Sequence, residues 1–332
     1  MPNKTNFIAR RRILAGAAAA GVAGLLPITR AMAAEWPDKP LRMLVGYPGG
    51  SGIDSIARQL ARQLEIIGGQ PVVVDNRPGA LGNIAALAVA SARGDANTLL
   101  FTPNSTHAAN IHLFRKLPFD PVKDFTPVGS VATLGFVLVV DPQVVQATNL
   151  AQLIQTIKRE PGKWAYGSGN ATGLVAGALF KSQAGLDLLS VPYKGVPQAM
   201  TDLLGGRLQM VFADATLAIP MVRSGKLRAI AVTSKTRMAA LPQVPTFAES
   251  GLPTYNLTGW FAVFQPAGVP ADQNAKLAAM MQRALREPAT AEFFRNLGAE
   301  PEPSTQAELA RRVNDDTELW GKLIKLAGIE PE

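Results

Sequence analysis

The sequence predicts an α/β protein made of two lobes with a ligand cleft between them. Short β-branched segments alternate with amphipathic helices over residues 41–101, and the same alternation resumes over residues 136–232. A Pro-rich passage at 117–127 separates the two runs, and a second one at 241–245 follows them. Such alternation is typical of mostly parallel sheets flanked by helices. A cleft between two such lobes is the usual place for a small ligand.

The first run is a βαβαβ unit. Its first helix begins near Ile53, because Ile56, Leu60, Leu64 and Ile67 recur at helical spacing. In chain order the predicted elements are a strand at 41–45, this helix, a strand at 71–74, a helix at 83–92 and a strand at 98–101.

The second run repeats the pattern with more elements. Its predicted strands and helices, in chain order, are strand 136–140, helix 150–158, strand 164–166, a helix ending at 184, strand 188–191, helix 196–204, strand 208–212, a short helix near 219 and strand 227–232.

The C-terminal part is predicted to be extended at 256–264 and then helical at 270–286, 289–297 and 306–326. These helices are expected to have no strands of their own and to pack back on the first lobe. The predicted lobes are therefore 34–133 with 246–332, and 134–245.

The N-terminus carries an export signal. Arg10, Arg11 and Arg12 precede an uncharged run at 13–26, and Ala31-Met32-Ala33 suits signal peptidase. Residues 1–33 are predicted to be a cleaved signal of twin-arginine type, with an ordinary secretory signal as the alternative. The mature protein is expected in the periplasm.

Composition excludes several classes of function. Five basic residues lie in the signal segment, so the formal charge falls from +8 to +3 on cleavage, and the sequence has no Cys. The basic residues of the mature part are scattered without aromatic neighbours, which argues against nucleic-acid binding. No zinc-protease pattern or nucleophile elbow is present. We expect no catalytic activity, no metal, no cofactor and a monomer.

The loop after the first strand carries the strongest local signal. Its glycines would let the backbone approach a ligand closely, Gly50 in particular. The helix that follows directs unpaired N–H groups and a positive dipole end toward this loop, so we expect a bound anion such as a carboxylate. Asp54 would cap the helix or bind nearby amides. The predicted contacts from this loop are Tyr47, Pro48, Gly49, Gly50, Ser51, Gly52, Ile53 and Asp54.

Other strand-end loops supply further candidates. His107 is either a ligand contact or a structural histidine, Tyr193 either a ligand contact or a packing aromatic, and Asp214 either an acceptor for a ligand ammonium or hydroxyl or a helix cap. The full set of predicted contacts from these loops is Thr102, Asn104, Ser105, His107, Ser168, Asn170, Thr172, Tyr193, Gly195 and Asp214.

Several motifs resemble the Bug (TctC-like) family along essentially the whole mature chain. They are Trp36-Pro37-Asp38-Lys39-Pro40, Pro48 to Asp54, Asn76-Arg77-Pro78-Gly79-Ala80-Leu81-Gly82-Asn83, Leu117 to Phe125, Val191-Pro192-Tyr193-Lys194-Gly195, Asp202-Leu203-Leu204-Gly205-Gly206, Ser224 to Ala229 and Leu241 to Thr246.

The resemblance implies a type II periplasmic-binding-protein fold and the substrate-binding role of a tripartite tricarboxylate transporter. The implied partners are a small carboxylate, either an aliphatic di- or tricarboxylate or an aromatic acid, and TctA/TctB-like membrane subunits. In the family, the glycine loop at 49–54 and the loop at 193–195 hold the ligand carboxylate. A sensory protein that presents a carboxylate to a membrane receptor kinase is the alternative function.

One position departs from the family pattern. Ile53 stands where the family usually has Thr. Either Ser51 supplies the missing hydroxyl, or the ligand is less polar than a tricarboxylate, and we favour the second interpretation.

Overall fold

The computed structural model describes residues 36–332, so the predicted signal at 1–33 lies outside the described residues. The strands are β1 Leu41–Val45, β2 Val72–Asn76, β3 Thr98–Pro103, β4 Phe125–Val140, β5 Trp164–Ser168, β6 Leu188–Pro192, β7 Met210–Asp214, β8 Arg228–Val232, β9 Thr258–Pro266 and β10 Ala299–Pro301.

The helices cover the sheet at nearly the predicted positions. They are α1 Gly52–Gly68, α2 Asn83–Ala90, α3 Asn110–Leu113, α4 Leu150–Arg159, α5 Ala171–Ala184, α6 Val196–Leu204, α7 Ala215–Arg223, α8 Ala271–Arg286, α9 Pro288–Asn296 and α10 Gln306–Leu326. A 3₁₀ turn at Ala80–Gly82 precedes α2, and a π-helical turn at Ser105–Ala109 precedes α3.

The strands of the described residues form one mixed sheet in the order β2-β1-β3-β9-β4-β7-β5-β6, with β8 and β10 also pairing with β4. The pairs β1–β2, β1–β3, β5–β6 and β5–β7 are parallel, whereas β9 joins β3 and β4 antiparallel. The parallel pairs confirm the expected βαβ units.

The long strand β4 connects the two halves of the sheet. It pairs with β9 from Phe125 to Gly135, and with β7 from Phe136 onward. The strand predicted at 136–140 was therefore too short by eleven residues at its start. Pro127 made this stretch look like a loop, but a proline is tolerated in a strand at a bulge, and the pairing with β9 shifts register between Pro127 and Gly129.

Alternate residues of the sheet face helices on opposite sides. Leu138 and Phe212 pack in the cluster that contains residues of α4 and α5, whereas Val137 and Val211 pack with residues of α6 and α7. This period of two is what a strand covered on both faces requires.

One expectation for the C-terminal part was wrong, and another was incomplete. The tail does contain a strand, since β10 pairs antiparallel with β4. The last helix packs on both halves: Leu309 joins the cluster around Phe264, and Trp320 joins the one around Tyr166 and Phe180. A 21-residue helix is roughly 30 Å long, which allows it to reach both.

Within residues 36–332, no helix is both long enough and apolar enough to cross a membrane. The same stretch of chain holds no group of three or more His, Cys, Asp or Glu side chains suited to a metal ion.

Candidate ligand-binding site

A small cavity lies where the two halves of the sheet meet. Its walls come from the ends of strands, the starts of helices and the middle of β4 and β9. The lining residues are Tyr47, Ser51, Ile53, Pro103, Asn104, Ser105, Leu134, Phe136, Asn170, Thr172, Val196, Asp214, Gly259 and Phe261.

Four helices begin at this cavity. Ser51, Asn170 and Asp214 are the residues that precede α1, α5 and α7, and Val196 is the first residue of α6. The first N–H groups of a helix have no partner within the helix, and the helix dipole places partial positive charge there. Four such ends around one cavity offer N–H donors and partial positive charge to an anionic ligand group, although no cationic side chain lines the cavity.

Asp54 organises the glycine loop and does not line the cavity. Its carboxylate accepts hydrogen bonds from the Gly50 N–H, Asn76 Nδ2 and Arg58 Nε, each at 2.9 Å. Burial works to raise the pKa of Asp54, but the bonds from Arg58, Gly50 and Asn76 together hold this pKa below its ordinary value. Asp54 was predicted either to cap the helix or to bind nearby amides, and the structure shows the bonds to neighbouring groups.

Gly49 and Gly50 are exposed and do not line the cavity. Gly50 has φ of 77°, and a Cβ atom there would meet nothing within 4 Å. The left-handed turn therefore favours glycine at this position whether or not a ligand approaches it. The sequence pattern could not distinguish these two uses of glycine.

The close packing in this loop occurs at Gly52 instead. A Cβ atom on Gly52 would lie 1.6 Å from Thr216 Oγ1 and 2.8 Å from Thr216 Cβ. A Cβ atom on Gly195 would likewise lie 2.8 Å from the ring of Pro48. The loop after β1 therefore lies directly against the starts of α6 and α7, and glycine at both positions allows this contact.

The polar groups of the first half centre on Asn104. Its side chain is 1% exposed, its Oδ1 accepts the Trp260 N–H at 3.4 Å, and its Nδ2 has no hydrogen-bond partner in the described chain. The Tyr47 hydroxyl donates to the Leu81 carbonyl at 3.2 Å, and lies 3.5 Å from Ser105 Oγ. Since a buried amide donor without a partner is costly, Asn104 is suited to bind a ligand acceptor.

The polar groups of the second half centre on Asp214 and Asn170. Asn170 Oδ1 accepts the Gly173 N–H and so caps α5, and its Nδ2 donates to Asp214 Oδ1 at 3.1 Å. Asp214 is 6% exposed, and burial raises its pKa to about 6 even though the Asn170 bond opposes that shift. Its side chain makes no capping bond to α7, so the expected alternative of a simple helix cap is wrong.

Several predicted contacts lie outside the cavity lining. Thr102, Thr106 and His107 form a buried hydrogen-bonded chain, with distances of 2.7 Å and 2.8 Å. His107 stacks on Phe264 at 3.8 Å, and burial lowers its pKa to about 3, so it is a neutral structural histidine. Ser168 is buried and its carbonyl accepts the Tyr193 N–H.

Sequence reasoning missed the apolar walls. Leu134 and Phe136 on β4, and Gly259 and Phe261 on β9, are residues two apart that share one face of the sheet. The spacing of these residues by two is visible in the sequence. The position of the cavity could not be predicted from it, because that position depends on β4 being one long strand. Pro103 and Val196 were also missed as lining residues.

Tyr193 does not line the cavity, and its hydroxyl donates to Asp202 Oδ2 at 2.7 Å. We therefore expect Tyr193→Phe to leave ligand affinity unchanged while lowering the melting temperature slightly, because only this partly exposed bond is lost. Calorimetric titration and a thermal melt measure the two quantities. A tenfold loss of affinity would instead return Tyr193 to the binding site.

Asp214 makes the stability of the ligand-free protein depend on pH. Its folded pKa of about 6 exceeds the ordinary value of 3.8, so the folded state loses stability as pH rises from about 4 through 6, by on the order of 3 kcal/mol. Tyr47, its titratable neighbour, stays neutral there because burial raises its pKa.

We expect Asp214→Asn to remove this loss. Denaturant unfolding should show the variant to be more stable than the parent at pH 8, with the difference disappearing below pH 4. Equal stability of the two proteins at pH 8 would show that Asp214 is not destabilised when ionised.

Comparison with known proteins places this chain in a family. A family model described as the tripartite tricarboxylate transporter family receptor, TctC, matches residues 56–329. A UPF0065 protein in the tcbD-tcbE intergenic region of Pseudomonas sp. strain P51 is 36% identical over 322 residues, covering 96% of this chain and 94% of that protein. Protein BugT of Bordetella pertussis is 35% identical over 315 residues, covering 94% of each.

Solved structures of periplasmic binding proteins are also similar to this chain. R. palustris Rpa4515 with adipate has a TM-score of 0.87 at 33% identity, covering 90% of this chain and 100% of that one. MatC of Rhodopseudomonas palustris with bound malate has a TM-score of 0.82 at 28% identity, covering 87% and 100%. The periplasmic binding protein BugD has a TM-score of 0.86 at 29% identity, covering 90% and 100%. The family resemblance and the fold class are thereby confirmed, and these relatives are binding proteins and not enzymes. The chain belongs to the tripartite tricarboxylate transporter receptor (TctC) family of periplasmic solute-binding proteins.

Proposed function

We propose that this protein captures a small carboxylate in the periplasm and delivers it to TctA/TctB-like membrane subunits. The observation that carries the proposal is the cavity itself. Four helix N-termini line it together with Asn104, whose Nδ2 has no hydrogen-bond partner among the described residues. An anionic group gains from these N–H donors and dipole ends without needing an Arg or Lys.

The apolar walls narrow the class of ligand. Ile53, Leu134, Phe136 and Phe261 line the same cavity as the polar groups. A tricarboxylate would press charged groups against these side chains, and desolvating charge without a partner is expensive. The proposed ligand therefore has an apolar body, either an aliphatic chain or an aromatic ring. The adipate and malate found in two structural neighbours support the carboxylate class.

We propose that the ligand contacts are the predicted residues that line the cavity. They are Tyr47, Ser51, Ile53, Asn104, Ser105, Asn170, Thr172 and Asp214. We also propose that the lobes divide at β4, with 34–133 and 246–332 on one side and 134–245 on the other. In support, β4 changes its partner from β9 to β7 between Gly135 and Phe136.

A thermal-shift screen of residues 34–332 tests the binding function. Aliphatic di- and tricarboxylates, aromatic acids and uncharged analogues of the same size are the probes, and a ligand that binds only the folded state raises the melting temperature. We expect shifts from carboxylates with apolar bodies. Shifts from the uncharged analogues alone would contradict the proposal.

Uptake measurements test the transport role. Cells that lack this protein should lose high-affinity uptake of the carboxylate identified in the screen, and the parent gene should restore it. Intact uptake together with a lost transcriptional response to the ligand would favour the sensory alternative. The N-terminal residue of the exported protein, expected to be Ala34 after cleavage of the twin-arginine signal, can be read by mass spectrometry of a periplasmic fraction.

A further inference from the structure

Asp214 is a buried carboxylate without a charged partner among the described residues. Its side chain is 6% exposed and makes no capping bond to α7. Among the described residues no Lys, Arg or His pairs with it, and Asn170 is the only side chain that donates to it. A buried charge without a counter-charge destabilises a protein unless another group compensates it. Since Asp214 lines the cavity, that compensating group can come from a ligand.

Asn170 fixes the direction of this carboxylate. Its Oδ1 accepts the Gly173 N–H at 2.8 Å, which leaves only Nδ2 to meet Asp214 Oδ1 at 3.1 Å. An amide held at both ends cannot turn to offer its oxygen to the cavity. The Asn170–Asp214 pair therefore presents an acceptor to the cavity, held in place by the start of α5.

The cavity presents a donor at a different place. Asn104 follows β3, and its free Nδ2 has no partner among the described residues. In the sheet order, β9 and β4 lie between β3 and β7, so three strand spacings, about 14 Å measured across the strands, separate the backbones at Asn104 and Asp214. The residues of β9 and β4 that line the cavity in that interval are Leu134, Phe136, Gly259 and Phe261.

We infer that the Asn170–Asp214 pair selects carboxylates whose other end carries a hydrogen-bond donor, a hydroxyl or an ammonium. The inference rests on the proposed carboxylate-binding function and names its ligand more closely. The ligand carboxylate binds at the helix N-termini and Asn104 Nδ2, its apolar body lies along β4 and β9, and its donor bonds Asp214. A dicarboxylate would instead place a second negative charge beside Asp214, and like charges in a low-dielectric cavity repel strongly.

Matched probes test the selection at pH 8, where Asp214 is ionised. The probes are built on three molecular bodies, which are a four-carbon chain, a six-carbon chain and a benzene ring. Every probe has a carboxylate at one end. The other end carries a hydrogen-bond donor (a hydroxyl, amino or aminomethyl group), a second carboxylate, or hydrogen. Calorimetric titration measures the affinity of each. For at least one body, the donor-bearing probe is expected to bind at least tenfold more tightly than the dicarboxylate and than the probe with hydrogen.

Two variants separate the donor site from the general binding function. Asp214→Asn should lower the affinity for the preferred donor probe about tenfold and raise the affinity for the matching dicarboxylate. The control is Asp141→Asn, because Asp141 is another buried Asp and lies outside the cavity lining. This control should change neither affinity. Tightest binding of a dicarboxylate to the parent protein, or an unchanged preference in Asp214→Asn, would overturn the donor selection and leave the carboxylate function standing. Failure of every probe to bind would overturn both.

Discussion

Gly52→Ala is expected to lower the affinity for the carboxylate found in the screen on the order of a hundredfold. The added Cβ would lie 1.6 Å from Thr216 Oγ1 and 2.8 Å from Thr216 Cβ. Turning the Thr216 side chain removes only the first of these clashes, so the starts of α1 and α7 must separate. Overpacking of this kind costs about 1–3 kcal/mol, and both Ser51 and Asp214 beside it line the cavity. Calorimetric titration gives the affinity directly.

Two matched variants show whether the clash is the cause. Gly49→Ala in the same loop should bind normally, because Gly49 is exposed and its nearest neighbour, Asn76 Oδ1, would lie at an ordinary 3.8 Å. Thr216→Gly combined with Gly52→Ala should restore most of the affinity by removing the atoms that clash. Normal affinity in Gly52→Ala alone would show that the contact between Gly52 and Thr216 is not required for binding.

Asn104→Asp is expected to reduce carboxylate affinity by a similar hundredfold or more. The substitution keeps the shape and the oxygen that accepts the Trp260 N–H, but it replaces the free Nδ2 donor with a carboxylate oxygen. The ligand carboxylate would then face a buried negative charge instead of a donor. Losing a hydrogen bond to a charged group and gaining a like charge together exceed about 3 kcal/mol. Titration at pH 8 measures the loss.

The control for this charge change is Asn83→Asp. Asn83 is also buried, lies outside the cavity lining and accepts a bond from Asn110 Nδ2 that an Asp can equally accept. It begins α2, where a negative charge suits the helix dipole. This variant should bind the ligand normally. Full affinity in Asn104→Asp would mean that the ligand carboxylate does not contact Asn104.

The sequence determined most of the local structure. Apolar residues at helical spacing predicted α1, and its predicted start near Ile53 agrees with the structure. The strand-end loops also contain the right kinds of group, because parallel strands bring their carboxyl ends to one edge of a sheet. Ser51, Asn104, Asn170 and Asp214 were predicted as site residues and do line the cavity.

Only the tertiary structure decided which of these loop residues face the cavity. Tyr193 and His107 both have side chains that could contact a ligand. In the structure, however, the Tyr193 hydroxyl bonds to Asp202, and His107 bonds to Thr106 and stacks on Phe264. Asp202 and Thr106 are near in the sequence, but no local pattern shows that these bonds form, and Phe264 reaches His107 from a distant part of the chain.

The same distinction applies to the glycines and to β4. Gly50 and Gly52 are equivalent in the sequence pattern, yet Gly50 serves a left-handed turn and Gly52 allows contact with Thr216, 164 residues further along the chain. Pro127 indicated a loop where β4 continues through a bulge. Local propensities follow from neighbouring residues and were readable in the sequence. Burial, close approach and charge pairing depend on residues distant in the chain, so only the packed structure could determine them.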